Sequence, residues 1–299
     1  MLALEGTAPH AGASLIQARA NFFARTDAYP VSHVLVAERE GAVIGVECLA
    51  LSEVRVGGVS CKAGYSFNTR VQPGLQRRGL GPALLNAAEQ WARAQGAGYL
   101  TGLIKTSNAP SMKMVTALGW ETVARFDYLV LEIARFDGMA VPRAVQFDLY
   151  RDPHLMRLRL AAVQSQHFAP LFLERELFWP APEGAYAGSW TAISRRGTAW
   201  LSVWDDRAAR GLDLLAFRAV KAFDLMLEGP EALGAFASLL GVLRARGVRH
   251  LLLPLPAEST ACAMLRPFAA DLVDFNFVVK RLGDSPPVPP GPLYFDIRH

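Results

Sequence analysis

The stretch "RVQPGLQRRGLGPALLNAAEQWARAQGAGYL", residues 70–100, decides the fold of this 299-residue chain. A proline turn, two arginines and two glycines precede a segment whose apolar residues recur at steps of three and four. These residues are Leu80, Leu84, Ala87, Ala88 and Trp91. That period is typical of an amphipathic helix, and Gly96 is a natural C-terminal stop. We therefore expect a strand, a turn and a helix that begins on glycine.

The start of this helix is suited to hold an anion. A helix N-terminus presents unpaired N–H groups and the positive end of a dipole, and it binds phosphate when the backbone is accessible. Gly79 and Gly81 lack the Cβ that would stand between ligand and amide. The run is neither a Walker loop nor a Rossmann fingerprint, because it lacks G-K-[ST] and the third glycine. On spacing alone, a glycine pair needed for packing or a turn explains it equally well.

The flanking segments read as strands and one more helix. "HVLVAERE" and "AVIGVECLALSEVRV" predict a hairpin around Gly41, and "GYSFNTRV" predicts a third strand. After the first helix, "YLTGLI" predicts a strand. Asn108 is the expected N-cap of a second helix, with Pro110 in its first turn and Gly119 at its end. "FDYLVLEIA" then closes a mixed α/β unit.

The second half of the chain repeats this order of elements. The expected strands are "AWLSVWDD", "LDLLAFRAV", "VRHLLLPLP" and "LVDFNFVVKRL", and the expected helices are "PEALGAFASLLGVLRARG" and "ESTACAMLRPFA". Two like units, residues 1–137 and 138–299, are the simplest organisation. "RFDGMAVPRA" is the expected linker, and the proline-rich tail "SPPVPPGPLYFDIRH" should run extended.

Composition narrows the classes of partner. The formal charge of +4 and pI of about 9.1 favour a small anionic ligand. Basic and aromatic residues do not interleave, so we expect no nucleic-acid partner. With no leader-like segment and no apolar stretch long enough for a bilayer, we expect no membrane partner and no export. The three cysteines are widely spaced, so we expect no metal site and a reducing, cytoplasmic location.

Two motifs carry a family resemblance. Residues 76–81, "QRRGLG", resemble the Q/R-x-x-G-x-G/A signature of the GNAT acetyltransferase superfamily, and residues 108–120 resemble its second cofactor motif. Through "TAWLSVWDD", "VVKRLGD" and the tail, most of the chain resembles the plant HOOKLESS group and its bacterial relatives. The resemblance implies an α/β (α+β) fold of two tandem GNAT-like domains. Each would be a mixed, mostly antiparallel sheet with a splayed central strand pair, flanked by helices.

The resemblance also implies that acetyl-CoA is the co-substrate of an N-acetyltransferase whose acceptor is a primary amine. A backbone N–H near Val71 would polarise the thioester carbonyl. The second domain would not bind acetyl-CoA, because Glu228 and Glu231 near its helix start would repel pyrophosphate. The implied cofactor-binding residues are Thr69, Val71, Gln76, Arg77, Arg78, Gly79, Leu80, Gly81, Asn108 and Ser111.

The catalytic groups depart from the family pattern. Tyr65 occupies the position where several members of the family have a glutamate base. Because a phenol with a pKa of about 10 is a poor base, packing or a hydrogen bond to substrate is the favoured role of Tyr65. Glu47 is a second candidate base. The alternative is that Glu47 is an ordinary strand residue whose carboxylate is exposed to solvent. Val115 occupies the position of the usual tyrosine acid. The terminal carboxylate of His299 is a further candidate base. A non-catalytic CoA-binding regulator and a purely structural pair of domains therefore remain alternatives.

Overall fold

The computed structural model describes residues 22–139, 145–148, 168–170, 186–204 and 219–289. The first described element is a short 3₁₀ helix, Phe22–Ala28. Most of the predicted strand "LDLLAFRAV" lies outside the described residues, and so does His299.

Within the described residues, all the strands belong to one twelve-stranded sheet, which four α-helices accompany. The strands are β1 (Val31–Arg39), β2 (Ala42–Val56), β3 (Val59–Val71), β4 (Ala97–Lys105), β5 (Glu121–Glu132), β6 (Val145–Asp148), β7 (Phe168–Pro170), β8 (Tyr186–Ile193), β9 (Thr198–Trp204), β10 (Ala219–Glu228), β11 (His250–Pro256) and β12 (Ala269–Arg281). The helices are α1 (Leu80–Ala94), α2 (Ala109–Ala117), α3 (Ala232–Ala245) and α4 (Thr260–Leu265).

The sheet is mixed and mostly antiparallel. Its order is β1-β2-β3-β4-β12-β5-β11-β10-β9-β8-β6, and β7 adds to β2. The pairs β3/β4 and β10/β11 are parallel, and each is joined by a helix, as a crossover connection requires. The predicted fold class is confirmed.

The two halves of the chain exchange strands. β12, from the second half, lies between β4 and β5, and β5, from the first half, lies between β11 and β12. β5 and β12 run antiparallel, with Asp127 directly opposite Asp274. The halves therefore share one continuous sheet, and the boundary at residue 137 stays a prediction.

Apolar clusters fix the helices on one face of the sheet. Leu49 and Leu100 pack with Leu85 of α1 and Val115 of α2. A second cluster, built on strands of the second half and on β5, buries α3 and α4. Side chains on the opposite face of β2 and β3 form an aromatic-rich cluster with Phe22. None of the described helices combines the length and the apolar character needed to cross a membrane.

Candidate active site

A gap opens in the sheet between β3 and β4. Their parallel pairing ends at Ser66 and Gly102, although β3 continues to Val71 and β4 to Lys105. The cause is a bulge in β3, where Asn68 and Thr69 together oppose a single residue of β2. Asn68 has a φ of 58°, and a bulge of this kind bends its strand. This gap is the splayed strand pair that the resemblance implies.

The β3 edge of the gap offers main-chain hydrogen-bonding groups. Gln72 N–H donates to the Ile44 carbonyl on β2 at 2.8 Å. Because successive residues of a strand point their N–H and C=O to opposite sides, those of Val71 point into the gap. The Gln76 side chain donates to the Val71 carbonyl at 3.2 Å, which leaves the Val71 N–H facing the gap.

The β4 edge offers such groups as well. Thr106 N–H donates to the Asp274 carbonyl on β12 at 3.1 Å. By the same alternation, the N–H group of Lys105, beyond the last β3/β4 pair, points away from β12 and toward β3. An extended ligand with amide groups can therefore pair with both edges as an added strand would.

The start of α1 lies open beside the end of β3. Gly79 is the N-cap of α1 with a φ of 85°, and no side chain caps the helix. A Cβ at Gly79 would meet nothing within 4 Å, whereas one at Gly81 would lie 2.9 Å from Met114 Sδ. Arg77 and Arg78 are exposed. Gly79 thus supplies the positive φ at an uncapped helix start, and its role in binding a cofactor stays a prediction, while a Cβ at Gly81 would require Met114 of α2 to shift.

Glu47 lies on β2 opposite the bulge and is fully buried, so the alternative of a solvated strand acid is wrong. Ser66 Oγ and Thr69 Oγ1 donate to its two carboxyl oxygens, at 2.5 Å each. Burial outweighs these hydrogen bonds and raises the pKa of Glu47 to about 8. The partner of Glu47 on β1, Leu35, packs into the core under α1 and α2, which places the carboxyl on that face.

Tyr65 lies on the other face of the sheet. It is 4% exposed, and its ring stacks on Phe67 with the centroids 5.2 Å apart. It packs with Phe22 and Tyr29. The structure therefore does not bring Tyr65 and Glu47 together, and the environment of Tyr65 favours the packing role.

The second cofactor motif begins with the predicted cap. Asn108 Oδ1 accepts the Ser111 N–H at 3.2 Å, and α2 starts at the next residue. Val115, at the position of the family's tyrosine acid, is 5% exposed and lies in the core. Within the described ranges, no three His, Cys, Asp or Glu side chains are grouped so that they could hold a metal ion.

The corresponding opening in the second half is lined differently. β10 and β11 pair only from Ala219 and His250 to Lys221 and Leu252. Ala257 N–H donates to the Arg125 carbonyl on β5 at 2.9 Å, so the alternation points residues 254 and 256 toward β10. Both are prolines, which have no N–H to donate. Along this stretch β11 cannot pair with a ligand carbonyl.

The start of α3 is also covered. A Cβ on Gly197, in the turn between β8 and β9, would lie 2.4 Å from the Ala232 nitrogen. The same turn also bonds the start of α3, because the Glu231 N–H donates to the Arg196 carbonyl at 3.3 Å. The expectation that the second half does not bind acetyl-CoA thus gains a steric basis besides the charges of Glu228 and Glu231.

Sequence reasoning missed the partners of Glu47 and the residues that β12 brings to β4. A single acid within the apolar run "VIGVECLAL" was the available signal that Glu47 is buried. Ser66 and Asp274 carried no comparable signal, because strand pairing alone places them.

Comparison with known proteins shows similarity to acetyltransferases. Residues 7–120 match the model of the acetyltransferase (GNAT) family. "Acetyl transferase GW6a" of Oryza sativa subsp. japonica is 28% identical over 250 residues, which are 79% of this chain and 53% of the rice protein. The chain thus spans about half the length of that curated relative.

Solved structures agree in fold. A tandem GNAT protein from the clavulanic acid biosynthesis pathway has a TM-score of 0.60 at 16% identity, over 95% of this chain and 94% of its own. A GCN5-related N-acetyltransferase from Kribbella flavida has a TM-score of 0.50 at 11% identity, over 83% of this chain and 60% of its own. At these identities the likeness shows the fold alone.

Proposed function

We propose that this chain, which resembles the GNAT acetyltransferases over residues 7–120 and has the fold of a tandem GNAT protein, is an N-acetyltransferase that uses acetyl-CoA and acts on a primary amine. The observation that carries this proposal is the gap between β3 and β4, lined by main-chain donors and adjoining the uncapped start of α1. A ligand with a diphosphate at one end and an amide-containing arm matches both features.

The residues present fit acetyl-CoA. The first amides of α1, at Leu80 and Gly81, have no intrahelical partner and would hold the diphosphate, and Arg77 and Arg78 add positive charge beside them. Val71 and its neighbours on the β3 edge would hold the amide-containing arm. When bound, the cofactor supplies the acetyl group as a thioester.

The same edges can assist the transfer. The Val71 N–H is fixed in the strand, so it can stabilise negative charge on an acetyl oxygen without reorganisation. Glu47, with a pKa of about 8, is suited to accept the proton of the attacking amine. Because Glu47 is fully buried, that proton must reach it through the hydroxyl of Thr69 or Ser66.

No described group replaces the tyrosine acid at Val115. A thiol has a pKa of about 8.5, so the departing sulfur can leave as a thiolate without a dedicated donor. The buried Val115 and the packed Tyr65 favour the second candidate function, a protein that binds acetyl-CoA without catalysis.

Two measurements test these functions. Calorimetric titration with acetyl-CoA tests the site: binding is expected at one site per chain, and no binding would contradict both functions. Release of free thiol over a panel of amines then separates them. Amine-dependent release supports the enzyme, whereas binding without release under all acceptors would leave the non-catalytic function.

A further inference from the structure

β12 brings the second half of the chain into contact with the turn that follows β4. The Asp274 carbonyl accepts the Thr106 N–H at 3.1 Å, and the Asp274 carboxylate accepts the Thr106 hydroxyl. Arg125 on β5 donates to the same carboxylate oxygen at 3.0 Å. The turn is thus bonded to β12 through both its main chain and its side chain.

This turn leads directly into the second cofactor motif. Asn108 N–H closes the turn on the Lys105 carbonyl at 2.9 Å, and the Asn108 side chain then caps α2. Lys105 ends the β4 edge of the gap. The position of Thr106 therefore sets both the end of the gap and the start of α2.

The equivalent turn of the second half has the main-chain hydrogen bond of this contact but lacks its side-chain hydrogen bond. There Ala257 N–H donates to the Arg125 carbonyl at 2.9 Å, which reproduces the main-chain bond. Alanine has no hydroxyl, so a side-chain bond of the Thr106 type is impossible. Asp127 lies directly opposite Asp274 on β5. Its carboxylate accepts hydrogen bonds from Arg266 and Cys262 and not from a residue of this turn.

We propose that Asp274, supplied by the second half, is a positioning residue for the acetyl-CoA site of the first half, acting through the hydroxyl of Thr106. The side-chain bond occurs beside the open gap and has no equivalent beside the proline-lined opening, and this contrast is the basis of the assignment. The hydrogen bond from Thr106 holds the pKa of Asp274 below its ordinary value, so the carboxylate remains an acceptor at neutral pH. The inference rests on the proposed acetyl-CoA site.

A matched pair of variants of Thr106 tests this role. Thr106→Val keeps the shape and the main-chain bond but removes the hydroxyl, whereas Thr106→Ser keeps the hydroxyl. We expect Thr106→Val and Asp274→Ala to raise the Kd for acetyl-CoA about three- to tenfold, with Thr106→Ser close to wild type. Ser259→Ala removes the cap of α4 in the second half and should lower the melting temperature without changing this Kd.

The outcomes distinguish failure of the proposed function from failure of the positioning role of Asp274. Failure of the wild-type chain to bind acetyl-CoA would overturn the proposed function, and this inference with it. Wild-type binding with an unchanged Kd in Thr106→Val would overturn the positioning role alone. An equal rise in Thr106→Ser and Thr106→Val would also overturn it, because the hydroxyl would then not be the group that matters.

Discussion

Replacement of Glu47 by glutamine tests the burial of its carboxyl group through the pH dependence of stability. The pKa rises from 4.5 to about 8 on folding, so between these values the folded chain holds a proton that the unfolded chain has released. The folded state therefore loses stability as pH rises through this window, and the full contribution is present only below about pH 4.5. Glutamine has the same shape and no titration, so Glu47→Gln should lack this loss.

The size of the effect follows from the same two values. At about 1.36 kcal/mol per pH unit, the free energy of unfolding of the wild type should fall by roughly 3 kcal/mol relative to Glu47→Gln between about pH 5 and pH 8. Urea denaturation of both proteins across this range measures the difference, in which the other titrating groups cancel. A difference that does not vary with pH would refute the buried, proton-holding carboxyl.

The catalytic role of Glu47 has its own signature. If Glu47 accepts the proton of the amine, kcat/KM should rise with pH through a group with a pKa of about 8, because the base must be ionised to act. Glu47→Gln should remove this limb of the profile and most of the turnover. An unchanged profile in the variant would assign the limb to the amine acceptor.

Four further variants, one of them a control, test the cofactor site and its absence from the second half. Gly79→Val should abolish measurable acetyl-CoA binding, while circular dichroism shows that the fold is retained. The control is Gly96→Ala, because Gly96 has a similar positive φ at the far end of α1. Gly96→Ala should lower the stability by about 1–2 kcal/mol and leave the affinity for acetyl-CoA unchanged. Retained binding in Gly79→Val would contradict an open helix start as the anion site. Replacing Arg77 and Arg78 by alanine should weaken binding more at low salt than at high salt, and a loss independent of salt would exclude a Coulombic role. Gly197→Ala should destabilise the chain by about 1–3 kcal/mol, because its Cβ would meet the start of α3, without altering the Kd for acetyl-CoA; a changed Kd would place a cofactor contact in the second half.

The local features of the site could be predicted from the sequence. The glycine before α1 and the asparagine before α2 act within a few residues of their own positions, through a permitted positive φ and a side-chain cap. The periodic apolar residues of α1 and the apolar run of β2 are equally local, and both elements formed where predicted. For the same reason, the resemblance to the two cofactor motifs could be read from short runs of residues.

The partners of each strand were decided by the tertiary structure. The pattern of β12 shows that it is a strand, but any strand edge can in principle pair with it, and only the assembled sheet places it between β4 and β5. That pairing brings Asp274 to Thr106. The burial of Glu47 also depends on distant residues, since its charge is disfavoured by the whole core around it while its hydrogen-bond donors come from β3. The sequence by itself thus determined the helices, strands and caps, which depend on interactions between residues close in the chain. The tertiary structure determined the contact between Asp274 and Thr106 and the protonation of Glu47, because both depend on elements far apart in the chain.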